Sequence, residues 1–218
     1  MTLFRLDASI RTEGSVTREL ADSAQAAWQE ARPGQSVIRR DLAADPLPAD
    51  AWSTSALSGF VPAEQHTEEQ LAAKALASTL AEELLAADAY LFAVPLYNWG
   101  VSQHFKTWFD LLVTDPRFAP GGDTLLEGKP AALYVARGGG YGPGTPKEGW
   151  DHATPWMVRI LQDVLKLDLK VSVAELTLAP VTPGMEGLLG LAQDSLDTAQ
   201  QSAREHGKSL ADQVAAAV

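Results

Sequence analysis

Three segments of the chain gather residue types suited to holding a small ligand. The first, Ala8-Ser9-Ile10-Arg11-Thr12-Glu13-Gly14-Ser15-Val16-Thr17, is rich in small hydroxyl residues and leads into a helical pattern. First-turn N–H groups and the positive end of a helix favour an anion there. The hydroxyls of Ser9, Ser15 and Thr17 can donate to phosphate oxygens, and Arg11 can add charge-assisted bonds. Plain N-capping accounts for the same hydroxyls equally well. With neither GxGxxG nor a Walker loop in the chain, a dinucleotide fingerprint and a Walker nucleotide lose support, and a single phosphate remains. The second segment, Val94-Pro95-Leu96-Tyr97-Asn98-Trp99-Gly100, offers two aromatic walls around an amide that could bond the edge of a flat heteroaromatic ligand. A turn whose aromatics pack on the next helix is the alternative. The third, Ala136-Arg137-Gly138-Gly139-Gly140-Tyr141-Gly142-Pro143-Gly144, allows close backbone approach to a ligand, as a flexible loop also would.

What must position these segments is a series of short apolar strands alternating with helical patterns, the signature of βαβ units and a parallel sheet. Strands are predicted at Thr2 to Asp7, Ser36 to Leu42, Ala89 to Pro95, Pro130 to Ala136 and Leu169 to Leu178. Helices are predicted from Ser15 to the Arg32-Pro33-Gly34 stop, over Glu68 to Ala87, Ser102 to Val113 and Asp151 to Leu165, and from Leu188 to Ala217 with a break at Gly207. Ala43 to His66 has no clean period and reads as a long loop, packed down by Trp52 and Phe60. The result is one α/β domain over residues 1–218, a doubly wound five-stranded parallel sheet with helices on both faces. In such sheets ligands sit beyond the carboxyl ends of the strands. The three segments follow strands one, three and four, at that end.

Composition narrows the function. The 218 residues carry 17 Lys and Arg against 28 Asp and Glu, a formal charge of −11, with no basic stripe to attract nucleic acid or anionic membrane. Zero Cys removes disulfides, thiolate metal sites and a Cys nucleophile. The start of the chain lacks a basic, then apolar leader, and the best apolar run, Ala89 to Tyr97, is less than half of the ~20 residues that cross a bilayer. A cytoplasmic protein is therefore expected. His66, His104, His152 and His206 show neither HxxxH nor HExxH spacing, and no metal site is expected. Glu68-Glu69 and Glu82-Glu83 read as solvated helix faces, Lys106 and Asp110 as a surface i, i+4 pair, and Ser55 to Gly59 is no nucleophile elbow.

Together, Ser9-x-Arg11-x₃-Ser15-x-Thr17, Pro95 to Gly100 followed by Phe105-Lys106-x-Trp108-Phe109-Asp110, and Ala136-Arg137-Gly138-Gly139 resemble the FMN-dependent NAD(P)H azoreductases and quinone reductases of the flavodoxin-like fold. The resemblance covers essentially the whole chain. Leu96, Trp99, Ser102 and Ala136 stand where that family commonly has Met, Phe, Pro and Ser. It implies FMN, with the phosphate at Ser9, Arg11, Ser15, Val16 and Thr17 and the ring against Pro95, Leu96, Tyr97, Asn98, Trp99, Ala136, Arg137, Gly138 and Gly139. It further implies a ping-pong reaction in which NADH or NADPH reduces FMN and two electrons pass to a quinone or azo compound, with no catalytic side chain named. A homodimer with sites at the subunit interface is also implied, and Trp52, Phe60, Trp99, Phe105, Trp108, Phe118, Trp150 and Trp156 look like more aromatics than a monomer's pocket needs. The alternative is a flavodoxin-like FMN electron carrier serving a protein partner, although carriers of that fold are generally shorter and lack the 43–66 excursion.

Overall fold

A computed structural model of the chain describes residues 1–119, 121–122 and 125–216. Its elements are β1 (Thr2–Asp7), α1 (Val16–Ala31), β2 (Ser36–Asp41), α2 (Ala51–Ser58), α3 (Glu68–Leu85), β3 (Ala89–Ala93), β4 (Leu96–Tyr97), β5 (Gly100–Val101), α4 (Gln103–Leu112), β6 (Pro130–Ala136), α5 (Thr154–Val158), β7 (Asp168–Ala174) and α6 (Leu189–Ala216). Five parallel strands form one sheet in the order β2-β1-β3-β6-β7, and β4 and β5 form a separate antiparallel hairpin. The chain leaves β1 outward to β2 and then crosses to β3 on the other side of β1. The strand order therefore reverses between β1 and β3, and a crevice opens there above their carboxyl ends.

Alternation along the central strands divides the core in two. Leu3, Ala89, Leu91, Ala93, Ala132 and Tyr134 meet α1 and α6 on one face, through Leu20, Ala24, Trp28, Ala203 and Leu210. Phe4, Leu6, Tyr90, Phe92, Leu133 and Val135 meet α3, α4 and α5 on the other, through Leu80, Leu84, Phe105, Trp108 and Met157. The period of two in a strand buried on both sides produces this split. Small residues on the first face bring α1 and α6 close to the sheet. No helix among the described residues is long and apolar enough to cross a membrane.

The structure revises several expected elements. The 43–66 excursion contains α2 and a 3₁₀ turn at Ala63–Gln65, and Trp52 and Phe60 are 48% and 86% exposed instead of packed. Helix α6 runs through Gly207 without a break. A Cβ at that position would overlap the Ala24 carbonyl of α1, so Gly207 serves close helix packing. Ala217, the expected last helical residue, lies outside the described residues. After α5 the helical path widens to a π-helix over Arg159–Val164. Strand β7 stops at Ala174, short of Leu178, because Leu176 takes a left-handed φ of 58°. Of the aromatics expected around one site, Phe105 and Trp108 are fully buried core residues and Phe118 is 8% exposed. The aromatic surplus at the site is thus smaller than the sequence suggests.

Candidate functional site

The β1–α1 loop is held from below by buried charge. Asp7, fully buried at the end of β1, is met by Arg5 at 3.1 Å, Arg39 at 2.8 Å and Arg18 at 3.7 Å. Arg18, on the first turns of α1, ties the loop down. Its Nε donates to the Arg11 carbonyl at 2.8 Å, one Nη donates to the Ser9 carbonyl at 3.1 Å, and the fork pairs with Asp41. This bidentate bond holds the Asp41 carboxyl well below the ordinary carboxylate range, and raises Arg18 in turn.

Above this layer lie the three hydroxyls. Ser9, Ser15 and Thr17 are all buried. Ser15 occupies the N-cap position of α1 but makes no side-chain capping bond. Its Oγ meets Thr17 Oγ1 at 3.3 Å, and among the described residues neither hydroxyl has another partner. The capping account of Ser15 therefore fails, and two buried donors remain beside the N–H groups of the first helical turn, which have no intrahelical acceptors. Arg11 is exposed at the loop tip and Val16 is partly buried.

The β4–β5 hairpin stands on the next crevice wall. Its two turn residues, Asn98 and Trp99, have φ of 48° and 63°, the left-handed geometry that lets a two-residue turn follow strand twist. A non-glycine residue held so costs on the order of 1 kcal/mol or more. The surroundings fix it. The His152 N–H donates to the Trp99 carbonyl at 3.0 Å, and the Trp99 ring meets that of Trp150 edge-on at 5.8 Å. Trp99 stays 43% exposed and faces a cavity, not the core.

That cavity, of about 820 Å³, is lined by Leu96 to Trp99 of the hairpin, by Gly138 to Tyr141, by Thr145 to Lys147, and by residues between Glu175 and Ser195, among them Leu176, Leu178, Met185 and Leu188. Tyr97 joins it to the hydroxyl loop, since its phenol oxygen lies 3.3 Å from Ser9 Oγ and accepts from the Ile10 N–H at 3.2 Å. The Gly138 and Gly139 carbonyls accept from Leu178 and Leu176 at 3.3 and 3.2 Å, while their own N–H groups have no acceptor among the described residues. A Cβ on Gly138 would lie 2.6 Å from Leu178 Cδ1, so a side chain there would crowd the lining. Burial pushes the Tyr141 phenol up.

The structure thus brings Leu96, Tyr97, Asn98, Trp99, Gly138 and Gly139 to one cavity and links Ser9 to it through Tyr97, while Ser15 and Thr17 pair with each other at the start of α1. Pro95 and Ala136 are buried and do not line it. The Arg137 side chain turns into ion pairs with Asp151 at 2.6 Å and Glu175 at 3.0 Å and donates to Thr154 Oγ1 at 3.1 Å, so it braces the glycine turn. Sequence reasoning missed Arg18 and the whole 175–195 wall. Pro180 and the Pro183-Gly184 pair are turn signals that argue against extending a strand to Leu178.

Residues 1–182 match the family model described as "Flavodoxin-like fold". The chain belongs to this flavodoxin-like family. It is 40% identical over 93% of its length to an "FMN-dependent NADH:quinone oxidoreductase" of Frankia casuarinae, covering 96% of that protein. To a protein of the same description from Streptomyces avermitilis it is 37% identical, over 99% of each chain. Among solved structures, an FMN-dependent NADH-azoreductase from Bacillus anthracis in complex with FMN superposes with a TM-score of 0.75, at 17% identity, over 96% of this chain and 99% of that one. At that identity the likeness speaks for the fold.

Proposed function

We propose that this flavodoxin-like protein is an FMN-dependent NADH:quinone oxidoreductase that also accepts azo compounds. The observation that carries the reading is Tyr97, which joins a hydroxyl-lined helix start, suited to one phosphate, to a largely apolar cavity, suited to a flat ring. The donor set fits FMN. Ser9, Ser15 and Thr17, with Arg11 at the loop tip, would hold the phosphate, and the Gly138 and Gly139 N–H groups and the Asn98 amide are donors for the ring's polar edge. When bound, FMN would supply two-electron redox chemistry between the nicotinamide and the acceptor. The chain's own part is to bind, orient and exclude water. Leu96, Trp99 and Leu178 offer apolar walls for a planar substrate, and Arg137 and Arg18 keep the glycine turn and the hydroxyl loop in place.

The same reading includes a homodimer. Trp52, Leu57 and Phe60, 48%, 61% and 86% exposed on α2 and the turn after it, put three large apolar side chains of one short segment in water, and a dimer contact would cover them. Light scattering at assay concentrations should give twice 23.3 kDa; a monomer overturns this part. The purified protein should be yellow and release FMN by mass analysis, and should oxidise NADH on addition of a quinone. FAD, or no flavin binding at micromolar FMN, refutes the cofactor. FMN without quinone-dependent NADH oxidation favours the electron carrier.

A further inference from the structure

The cavity wall carries one cation that the proposed function does not use. Lys147 lines the cavity, with its Nζ 6.0 Å from the Trp99 ring centroid and 5.7 Å from that of Tyr141. It makes no ion pair among the described residues, although Glu175 lines the same cavity and Glu148 is the next residue in the chain. Glu175 is held by Arg137 and by the Tyr141 N–H at 3.0 Å, and Glu148 accepts from the Gly144 N–H at 2.7 Å. The backbone beneath Lys147 is ordered. Thr145 Oγ1 donates to the Gly140 and Gly142 carbonyls at 2.9 and 2.7 Å, and the Trp150 N–H donates to the Lys147 carbonyl at 3.1 Å. The lysine stem lies against Gly139, where a Cβ would be 3.8 Å from both Cδ and Nζ. An unpaired ammonium is thus stationed over aromatic faces in a mainly apolar cavity, in a protein of net charge −11.

We infer that Lys147 recognises an anionic substituent, a sulfonate or carboxylate, on the planar electron acceptor. The ring of such an acceptor lies against the aromatic surfaces of Trp99 and Tyr141, and its charged oxygen meets the ammonium. A single Lys suits one oxyanion. The diphosphate of the nicotinamide nucleotide asks for several donors, and the cavity lining contains no Arg. The inference rests on the reductase reading and sharpens its substrate class.

The test compares wild type with Lys147→Met, which keeps the apolar stem, and with Lys147→Arg. Steady-state kcat/KM is measured for 1,2-naphthoquinone-4-sulfonate and for neutral 1,2-naphthoquinone, and binding of redox-inert naphthalene-2-sulfonate is measured by calorimetry. Loss of one charge-assisted contact should lower the sulfonate-to-neutral ratio by about tenfold or more in Lys147→Met. Sulfonate affinity should fall in parallel, added salt should weaken it in wild type, and Lys147→Arg should restore most of both. An unchanged ratio and unchanged sulfonate affinity overturn the inference. So does a defect confined to the KM for NADH, which would assign the lysine to the nucleotide. Lys147-dependent sulfonate binding in a protein that reduces neither quinone supports the anion site and refutes the reductase reading alone.

Discussion

Replacing Ser15 and Thr17 together by Ala separates ligand binding from helix capping. The two hydroxyls bond each other at 3.3 Å, and Ser15 does not cap α1 through its side chain. Removing both partners of one neutral bond is close to neutral for folding, whereas losing a true N-cap costs ~1 kcal/mol. For a domain of this size that cap would appear as a fall in Tm of roughly 2–4 °C. Hydrogen bonds to a charged phosphate are worth ~1.5–3 kcal/mol each. Two of them, partly replaced by water, still correspond to at least about tenfold and up to about a thousandfold in Kd, since 1.4 kcal/mol is a factor of about ten. Titration of FMN fluorescence against the apoprotein, with thermal unfolding of the same samples, reads both quantities. Unchanged FMN affinity with a lowered Tm would refute the argument and return both residues to capping.

Three further outcomes are expected. Trp99→Phe should raise kcat/KM on bulky azo dyes relative to small quinones by about tenfold to a hundredfold, because a shape difference in an apolar pocket is worth on the order of 1–3 kcal/mol; with Trp99 43% exposed no core cavity results, and an unchanged ratio retires the role. Arg18→Met removes the guanidinium shared by Asp41, Asp7 and two loop carbonyls, and should destabilise by about 3 kcal/mol, the loss found when one member of a buried pair is deleted. Since Arg18 depresses the Asp41 carboxyl in the folded state, that contribution is present above the unfolded carboxylate value of about 3.9 and lost as pH falls below it; stability between pH 6 and 3 should fall less steeply in Arg18→Met than in wild type, and parallel curves in a denaturant series would refute the link. Gly207→Ala should lower Tm, although helix propensity alone favours Ala by ~1 kcal/mol, because the new Cβ would overlap the Ala24 carbonyl; a raised Tm would show that α6 can move away from α1.

Sequence pattern read β1 and β6 to the residue because each is an uninterrupted strand-forming run between turn or helix signals. It missed α2, Ala51–Ser58, because that helix buries Ala51, Ser55 and Ser58. Its inner side holds small residues, and Ser55 Oγ bonds Thr114 Oγ1 at 2.7 Å, so no apolar period marks it. The β4–β5 hairpin was legible as a turn but not as strands. Each strand is two residues long, and Asn98-Trp99 lacks the glycine that usually announces such a turn. The hydroxyl loop and the glycine turn stood out because their residue types are local, gathered over ten and nine consecutive positions. The roles of Arg18 and Arg137 were not, since their acidic partners, Asp41 and Glu175, stand 23 and 38 residues away and only the completed fold brings them together.

These distant pairs also resolve an apparent conflict between net charge and ligand. For a chain of charge −11 the proposed phosphate needs its nearest carboxylates compensated, and Asp7 sits directly before the loop in question. Its negative charge is surrounded by Arg5, Arg18 and Arg39, while Asp22 pairs with Arg5 and Asp41 with Arg18. Three carboxylates against three guanidiniums leave the layer beneath the loop neutral, and the hydroxyls, the helix end and Arg11, set against Glu13 and Glu19, then determine the field above it. At the second site two carboxylates, Glu175 and Asp151, share the single guanidinium of Arg137, which leaves that group one negative charge in excess. At these two loops Asp7, Asp22, Asp41, Asp151 and Glu175 are held by guanidiniums, whereas Glu13, Glu19 and Glu148 form no ion pair among the described residues.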